Sequence, residues 1–278
     1  MGLMRLMRPI GLLTMNKPIA LLTDFGLRDP YVGIMKGVIL GINPDATTID
    51  LCHEIEAGDI REGSFALAMA FPYLPEGTVF CAVFDPGVGT DRRAVAVEID
   101  GRFFVGPDNG LLSWVLRSRK VSQSVELTNK DFHLPEISGT FHGRDVFAPV
   151  AAHLSKGVSL GELGPSADGL VTFSIPEVVK GERSLQGEVV YIDHFGNAIT
   201  NISLADFEEW HHGEDGSVTA HFGSIEVKGL SRTYGAVPHG HSAILFGSSG
   251  MLEIAINGGN AATQLGLSVG SHLLVYQV

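Results

Sequence analysis

Three short polar stretches carry the side chains most able to do chemistry: Thr23-Asp24-Phe25-Gly26, the loop Asp85-Pro-Gly-Val-Gly-Thr-Asp-Arg92, and Thr140-Phe141-His142-Gly143-Arg144-Asp145. Between them they offer carboxylates, a guanidinium and an imidazole. A guanidinium keeps its protons and cannot be a base, whereas an imidazole titrates near neutrality and a carboxylate can orient it or a water. Asp85, Arg92 and His142 are therefore the set suited to steering a proton. The Pro-Gly-Val-Gly stretch allows close backbone approach to a ligand and can bring Arg92 back over Asp85. Spacing alone leaves an alternative: an Asp85–Arg92 structural ion pair, with His142 capping a helix.

Elements of two kinds must position these residues. The runs 19–22 and 79–84, which precede Asp24 and Asp85, are short, β-branched or aromatic, and read as buried strands. In an open α/β sheet ligands gather beyond the carboxyl ends of such strands. From residue 19 to about 156, strands at 19–23, 47–51, 78–84 and near 94–105 alternate with helices at 30–41, 59–71, 110–117 and 144–155. That alternation predicts a mainly parallel sheet with helices on both faces. Asp59 is a helix N-cap candidate, and Asp108-Asn109-Gly110 another before Leu111. Beyond Pro176 and the charged stretch Lys180-Gly181-Glu182-Arg183, short strand candidates follow at 185–193, 197–202, 217–222, 225–229, 242–247, 251–256 and 272–277. Their spacing predicts a smaller all-β, barrel-like domain. The expected organisation is a leader or extension over 1–15, an α/β domain over 16–178 and a β domain over 185–278.

Composition narrows the partners. Thirty-one acidic against 19 basic residues give a net charge of −12, which repels phosphate backbones and anionic headgroups, so neither nucleic acid nor membrane is an expected partner. Two cysteines, Cys52 and Cys81, do not make a disulfide framework, and a reducing cytoplasm is the simplest setting. Arg5 and Arg8 ahead of the run 10–13 faintly resemble a signal peptide, but the run is short and no cleavage site follows. Met15 points instead to an upstream start or an extension. Asp24-Phe25-Gly26 copies a kinase triplet without the rest of the kinase set, and Gly247-Ser248-Ser249-Gly250 is one residue too short for a nucleophile elbow. His211-His212 and His239-Gly240-His241 lack a clear carboxylate or thiolate partner, so no metal site is expected.

The strings TDFGLRDPYVGIMKG, FDPGVGTDRRAV, VGPDNGLL, GTFHGRDVFAPVAAHL and IDHFGNAITNI resemble those of the S-adenosyl-L-methionine hydroxide adenosyltransferases, relatives of the fluorinating and chlorinating enzymes that act on the same substrate. The resemblance runs from about Ile19 to the C-terminus. It implies hydrolysis of S-adenosyl-L-methionine to adenosine and L-methionine without a cofactor, with the Asp-Arg-His set on Asp85, Arg92 and His142. It also implies a homotrimer whose active sites lie between subunits. Halogenating relatives lack that set, which favours water over halide. His142 is the better-tuned proton acceptor, and transfer to solvent through the network is equally compatible. Asp24 would take the ribose diol. Phe195 would stack on adenine, and Asn197 would meet the purine edge. Asp193 would hold the methionine ammonium, with Ser248, Ser249 and Glu253 at the amino-acid end. The halogenating relatives carry an arginine where this chain has Ser249. Tyr73 packs beside the ribose or in the core. The alternatives are a halide-dependent 5′-halo-adenosine synthase of the same fold and a non-catalytic adenosine-binding module.

Overall fold

In this computed structural model residues 17–211, 218–223 and 225–277 are described; the leader reading for 1–15 and residue His212 lie outside them. The chain divides into two units with the boundary between Phe173 and Ser174.

The first unit is built on strands buried from both sides. β1 (Ile19–Thr23) is buried throughout. It is followed by α1 (Tyr31–Ile42), β2 (Thr48–Cys52), α2 (Ile60–Ala70), β3 (Val79–Val83), β4 (Ala94–Ile99), β5 (Arg102–Pro107), α3 (Ser113–Leu116), β6 (Val121–Glu126), α4 (Ala148–Ser155) and α5 (Leu160–Leu163). The sheet order is β2-β1-β3-β5-β4-β6. β2, β1, β3 and β5 run parallel, while β4 lies antiparallel to both its neighbours. The reversal is local in origin: Asp100 and Gly101 both take positive φ (48° and 69°), the pair of left-handed residues that closes a two-residue hairpin.

Strand periodicity splits the core. Ile19, Leu21, Val79, Cys81 and Val83 face the side covered by Met35 and Ile39 of α1 and Val150 and Leu154 of α4. Ala20, Leu22, Phe80 and Ala82 face the other side, with Leu67 of α2 and Val115 of α3. There Phe80 and Phe104 stack at 4.9 Å between ring centroids.

In the second unit follow β7 (Val179–Lys180), β8 (Ser184–Ile192), β9 (Ala198–Ser203), α6 (Leu204–His211), β10 (Val218–Phe222), β11 (Ile225–Lys228), β12 (Ser242–Phe246), β13 (Met251–Ile256), α7 (Ala261–Leu265) and β14 (His272–Gln277). The order is β11-β10-β14-β8-β9-β13-β12, antiparallel at every pairing, with β7 on β8. An isolated bridge between Leu230 and Ile244 brings the two edges together into a nearly closed barrel. The sequence pattern holds no expectation of α6. Its start is marked by Ser203 and Asp206, which exchange hydrogen bonds (Asp206 N–H to Ser203 Oγ 3.0 Å, Ser203 N–H to Asp206 Oδ2 3.3 Å). Among the described residues no helix is long and apolar enough to cross a membrane.

Candidate active site

The carboxyl ends of β2, β1, β3 and β5 lie side by side, and each is followed within two residues by a polar one: His53, Asp24, Asp85 and Asp108. Register pairs Thr23 with Val83, so Asp24 and Asp85 leave the sheet at the same edge.

After β3 the chain makes two successive turns, Val88 N–H to Asp85 C=O and Thr90 N–H to Gly87 C=O, both 3.1 Å. They fold Arg92 back over Asp85. Arg92 Nε donates to Asp85 Oδ1 at 2.8 Å and Nη2 donates to Oδ2. The same Nη2 reaches His142 Nδ1 at 2.8 Å. Gly89 (φ 78°) makes this approach possible: a Cβ there would collide with the carbonyl oxygen of Gly139, in the loop that carries His142. The Asp85 and Arg92 side chains are only 6% and 11% exposed. Water screens such a pair weakly, and removing either partner strands a buried charge. The geometry brings the three predicted residues together. It also removes the capping alternative, because His142 makes no side-chain cap bond to the turn it precedes.

That turn, Gly143–Phe147, winds as a wide π-helical segment before α4. Asp145, wholly buried, anchors it: Oδ1 accepts from Arg144 Nε (2.5 Å), and Oδ2 accepts from Arg144 Nη2 (3.0 Å) and Ser138 N–H (2.8 Å). Burial works against its charge, but these donors hold its carboxyl below the usual carboxylate range. Its backbone carbonyl takes the Leu134 N–H at 2.9 Å. Asp145 thereby ties the 134–138 segment to the helix that presents His142. Burial, then the Arg92 cation, lower the His142 pKa, outweighing Asp85, Asp145 and a hydrogen bond to the Ser138 backbone. A ring that accepts a proton from a guanidinium through Nδ1 is neutral, with its own proton on Nε2. Beside this cluster opens a cavity of about 510 Å³ lined by Phe25, Tyr31, Asp85, Phe141, His142 and Arg144, among others. Phe25, Tyr31 and Phe141 meet edge to face along it, with centroids 5.3–6.1 Å apart.

Asp24 is half-buried, and its Oδ2 accepts the Gly58 N–H at 2.8 Å. Tyr73 is 76% exposed in the 3-10 turn after α2, which disposes of a core role for it. Asp59 caps α2 as predicted, accepting from Glu62 N–H at 2.8 Å. Asp108 caps nothing: it pairs with Arg93, and the neighbouring Asn109 accepts from Leu111 N–H at 3.3 Å.

The second unit gathers its own predicted residues. Asp193 Oδ1 accepts from the backbone N–H groups of Phe195 (3.0 Å) and Asn197 (2.8 Å), and Oδ2 accepts from Asn197 Nδ2 (2.9 Å). Asn197 therefore has one amide proton already committed to Asp193 before any purine is met. Phe195 projects from this turn, 73% exposed. Ser248 and Ser249 sit in the β12–β13 hairpin turn, where Ser249 Oγ accepts Met251 N–H at 3.3 Å. Glu253 is buried and accepts from Tyr234 Oη, a partner that sequence reasoning missed. Burial and the nearby Asp193 charge raise its pKa against the lowering effect of Tyr234. Among the described residues no group of three His, Cys, Asp or Glu side chains could hold a metal ion.

A mixed sheet with an acid–guanidinium–imidazole centre at its strand ends, joined in sequence to an antiparallel barrel, defines an enzyme of the two-domain α/β-plus-barrel kind. Residues 19–164 match the SAM hydroxide adenosyltransferase N-terminal domain, and residues 187–274 match its C-terminal domain. The chain belongs to the SAM hydroxide adenosyltransferase family. It is 41% identical over 266 residues to the (R)-S-adenosyl-L-methionine hydrolase of Thermus thermophilus, covering 91% of this chain and 97% of that protein. Against the Salinispora tropica protein of the same name it is 39% identical over 264 residues, covering 92% and 97%. A fluorinase from Nocardia brasiliensis is more distant, at 32% over 219 residues, covering 69% and 73%. The crystal structure of an uncharacterized conserved protein from Thermotoga maritima superposes with a TM-score of 0.88 at 37% identity, covering 93% of this chain and 99% of that one.

Proposed function

We propose that this protein hydrolyses S-adenosyl-L-methionine to adenosine and L-methionine, with water attacking C5′ in line with the C5′–S bond. The observation that carries the reading is the convergence of Asp85, Arg92 and His142 at one strand end, in a chain of this family. The sulfonium is already a good neutral leaving group, so nothing need be protonated at sulfur. A C5′–O bond forms, the C5′–S bond breaks with its electron pair on sulfur, and the attacking oxygen sheds one proton. Arg92 Nη1 lies outside the clamp on Asp85 and His142 and is the donor available to hold the water as negative charge develops. The proton goes to Nδ1 of His142, the unprotonated ring nitrogen of the set, as Nη2 releases it.

Asp24 takes the ribose diol, and Tyr73 packs beside the ribose. Phe195 and Asn197 take the adenine, Asp193 the ammonium, and Ser248, Ser249 and Glu253 the amino-acid end. No cofactor takes part, so activity survives a chelator. The family resemblance extends to a homotrimer with shared active sites, acting in the cytoplasm; light scattering gives the mass. The deciding experiment incubates pure protein with the substrate in ¹⁸O-water and resolves the products by chromatography and mass spectrometry. Adenosine labelled at its 5′-oxygen is expected. A 5′-halo-adenosine in chloride buffer, or no turnover, rejects the reading.

A further inference from the structure

The turn that carries Asp24 is held from behind by a line of polar groups that the proposed reaction leaves unused. Phe25 N–H lies 3.3 Å from Thr23 Oγ1, Thr23 Oγ1 lies 2.8 Å from His53 Nδ1, and His53 Nε2 lies 3.1 Å from Asp50 Oδ1. Lys36 Nζ, on α1, closes the line at 2.5 Å from Asp50 Oδ2. Thr23 is wholly buried and His53 is 3% exposed, so a break in the middle of the line leaves a polar group with neither partner nor water. The direction of the bonds follows from Asp50. Burial opposes its charge, yet hydrogen bonds from Lys36 and His53 hold its carboxyl below the usual range. An ionised carboxylate only accepts, so His53 Nε2 carries a proton. The buried Thr23 hydroxyl finds its acceptor in His53 Nδ1, and its lone pair takes the Phe25 N–H.

The two loops are laced at three further points. Gly26 N–H donates to the His53 carbonyl at 2.7 Å, Leu27 N–H donates to Glu54 Oε1 at 2.9 Å, and Gly58 N–H donates to Asp24 Oδ2 at 2.8 Å. The last bond engages Oδ2 of Asp24 and leaves Oδ1 outside it. Gly26 takes a left-handed φ of 67°, so the turn has a shape that most residues resist and that its neighbours must hold.

We infer that His53, oriented by Asp50 and Lys36, is a positioning residue that fixes the Thr23-Asp24-Phe25-Gly26 turn so that Asp24 meets both hydroxyls of a ribose. The inference rests on the reading of Asp24 as the ribose-binding carboxylate. Without His53 the carboxylate keeps its charge and loses its aim, and the protein stops distinguishing ribonucleosides from their 2′-deoxy counterparts.

The test is calorimetric affinity for adenosine and for 2′-deoxyadenosine, with thermal unfolding and steady-state kinetics in parallel, on the full chain and on Asp24→Ala, His53→Leu, His53→Asn and Asp50→Asn. The full chain should prefer adenosine strongly, and Asp24→Ala should abolish the preference. His53→Leu should cut it about tenfold and raise KM by a similar factor, with kcat at saturation within about twofold. His53→Asn puts an amide oxygen where Nδ1 stood and should restore most of the preference; Asp50→Asn should fall between. If Asp24→Ala keeps the preference, the ribose reading falls and the inference with it. If Asp24→Ala loses the preference while folded His53→Leu and Asp50→Asn keep it, the ribose reading stands and the positioning role is overturned. Should His53→Leu fail to fold, Asp50→Asn decides, since the Asp50 side chain is 45% exposed and tolerates the change.

Discussion

Arg92 and Arg93 are neighbours with opposite fates. Arg93 places Nε and Nη2 on Asp108 Oδ2 (2.9 and 2.5 Å), Nη1 on the Asp168 carbonyl (2.9 Å) and Nη2 also on the Gly169 carbonyl (2.8 Å). All three guanidinium nitrogens are engaged by permanent parts of the fold, and Asp108 completes the joint by accepting Val171 N–H at 2.8 Å. Arg92 also puts Nε and Nη2 on a carboxylate, one on each oxygen of Asp85 rather than both on one, but turns Nη2 onto an imidazole as well and leaves Nη1 outside the clamp. Both pairs are aspartate–arginine pairs at the carboxyl ends of adjacent parallel strands, β3 and β5. On the proposed reading, what separates a working centre from a rivet is the donor left over, together with a neighbour able to change protonation.

Substitutions at the two arginines should pull apart, most strongly at the first. Arg92→Met should lower kcat about a thousandfold, the scale on which positioned charge-stabilising donors act, and should cost about 3–5 kcal/mol of stability by stranding Asp85. Product chromatography and denaturant unfolding read both, and Asp85→Asn added to Arg92→Met should recover stability without recovering turnover. His142→Asn should lower kcat about a hundredfold. It should spare the melting temperature, because the Asp85–Arg92 fork remains.

The pH dependence is the next sharpening. On the proposed reading the neutral His142 that accepts from Arg92 is the working form, so turnover should be full above its pKa and fall as acid protonates the ring. Burial and the Arg92 charge place that acid limb below the ordinary histidine value of 6.5. In Arg92→Met the limb should move to higher pH, read as the His142 titration by NMR. The smallest effect on turnover belongs to Arg93→Met, within about threefold, although it too should cost about 3–5 kcal/mol in stability. Equal losses of kcat at 92 and 93, with matched stability, would erase the distinction.

Legibility in the sequence followed burial. β1 and β3 are continuous apolar runs because helices cover both their faces, and the polar residues just past them were legible for the same reason. β6 was not, since an edge strand reading Val-Ser-Gln-Ser-Val-Glu is exposed over its first half and shows little hydrophobic alternation. α6 carried a usable signal in Ser203 and Asp206, three residues apart. The candidate triad could be picked out because two members share one glycine-rich loop and the third lies in a polar string of its own. His53 could not, as its partners lie at 23 and 50 and the lysine that holds Asp50 at 36, and Tyr234 reaches Glu253 only because the barrel brings them together. Asp108 looked like a cap because the sequence does not say that Arg93 will reach it first.

The π-helical turn at Gly143–Phe147 holds one more residue per turn than the helix it leads into. A wide turn absorbs its extra residue, so deleting one residue there would let the backbone settle into ordinary α-helix with both flanks keeping their register. Adding one to the regular turns of α4 instead would swing everything upstream about 100° around the axis. The imidazole would then face away from its guanidinium while every side chain of the Asp-Arg-His signature stayed in the sequence. A homologue lengthened within α4 would pass any inspection of residue identities and still be chemically silent.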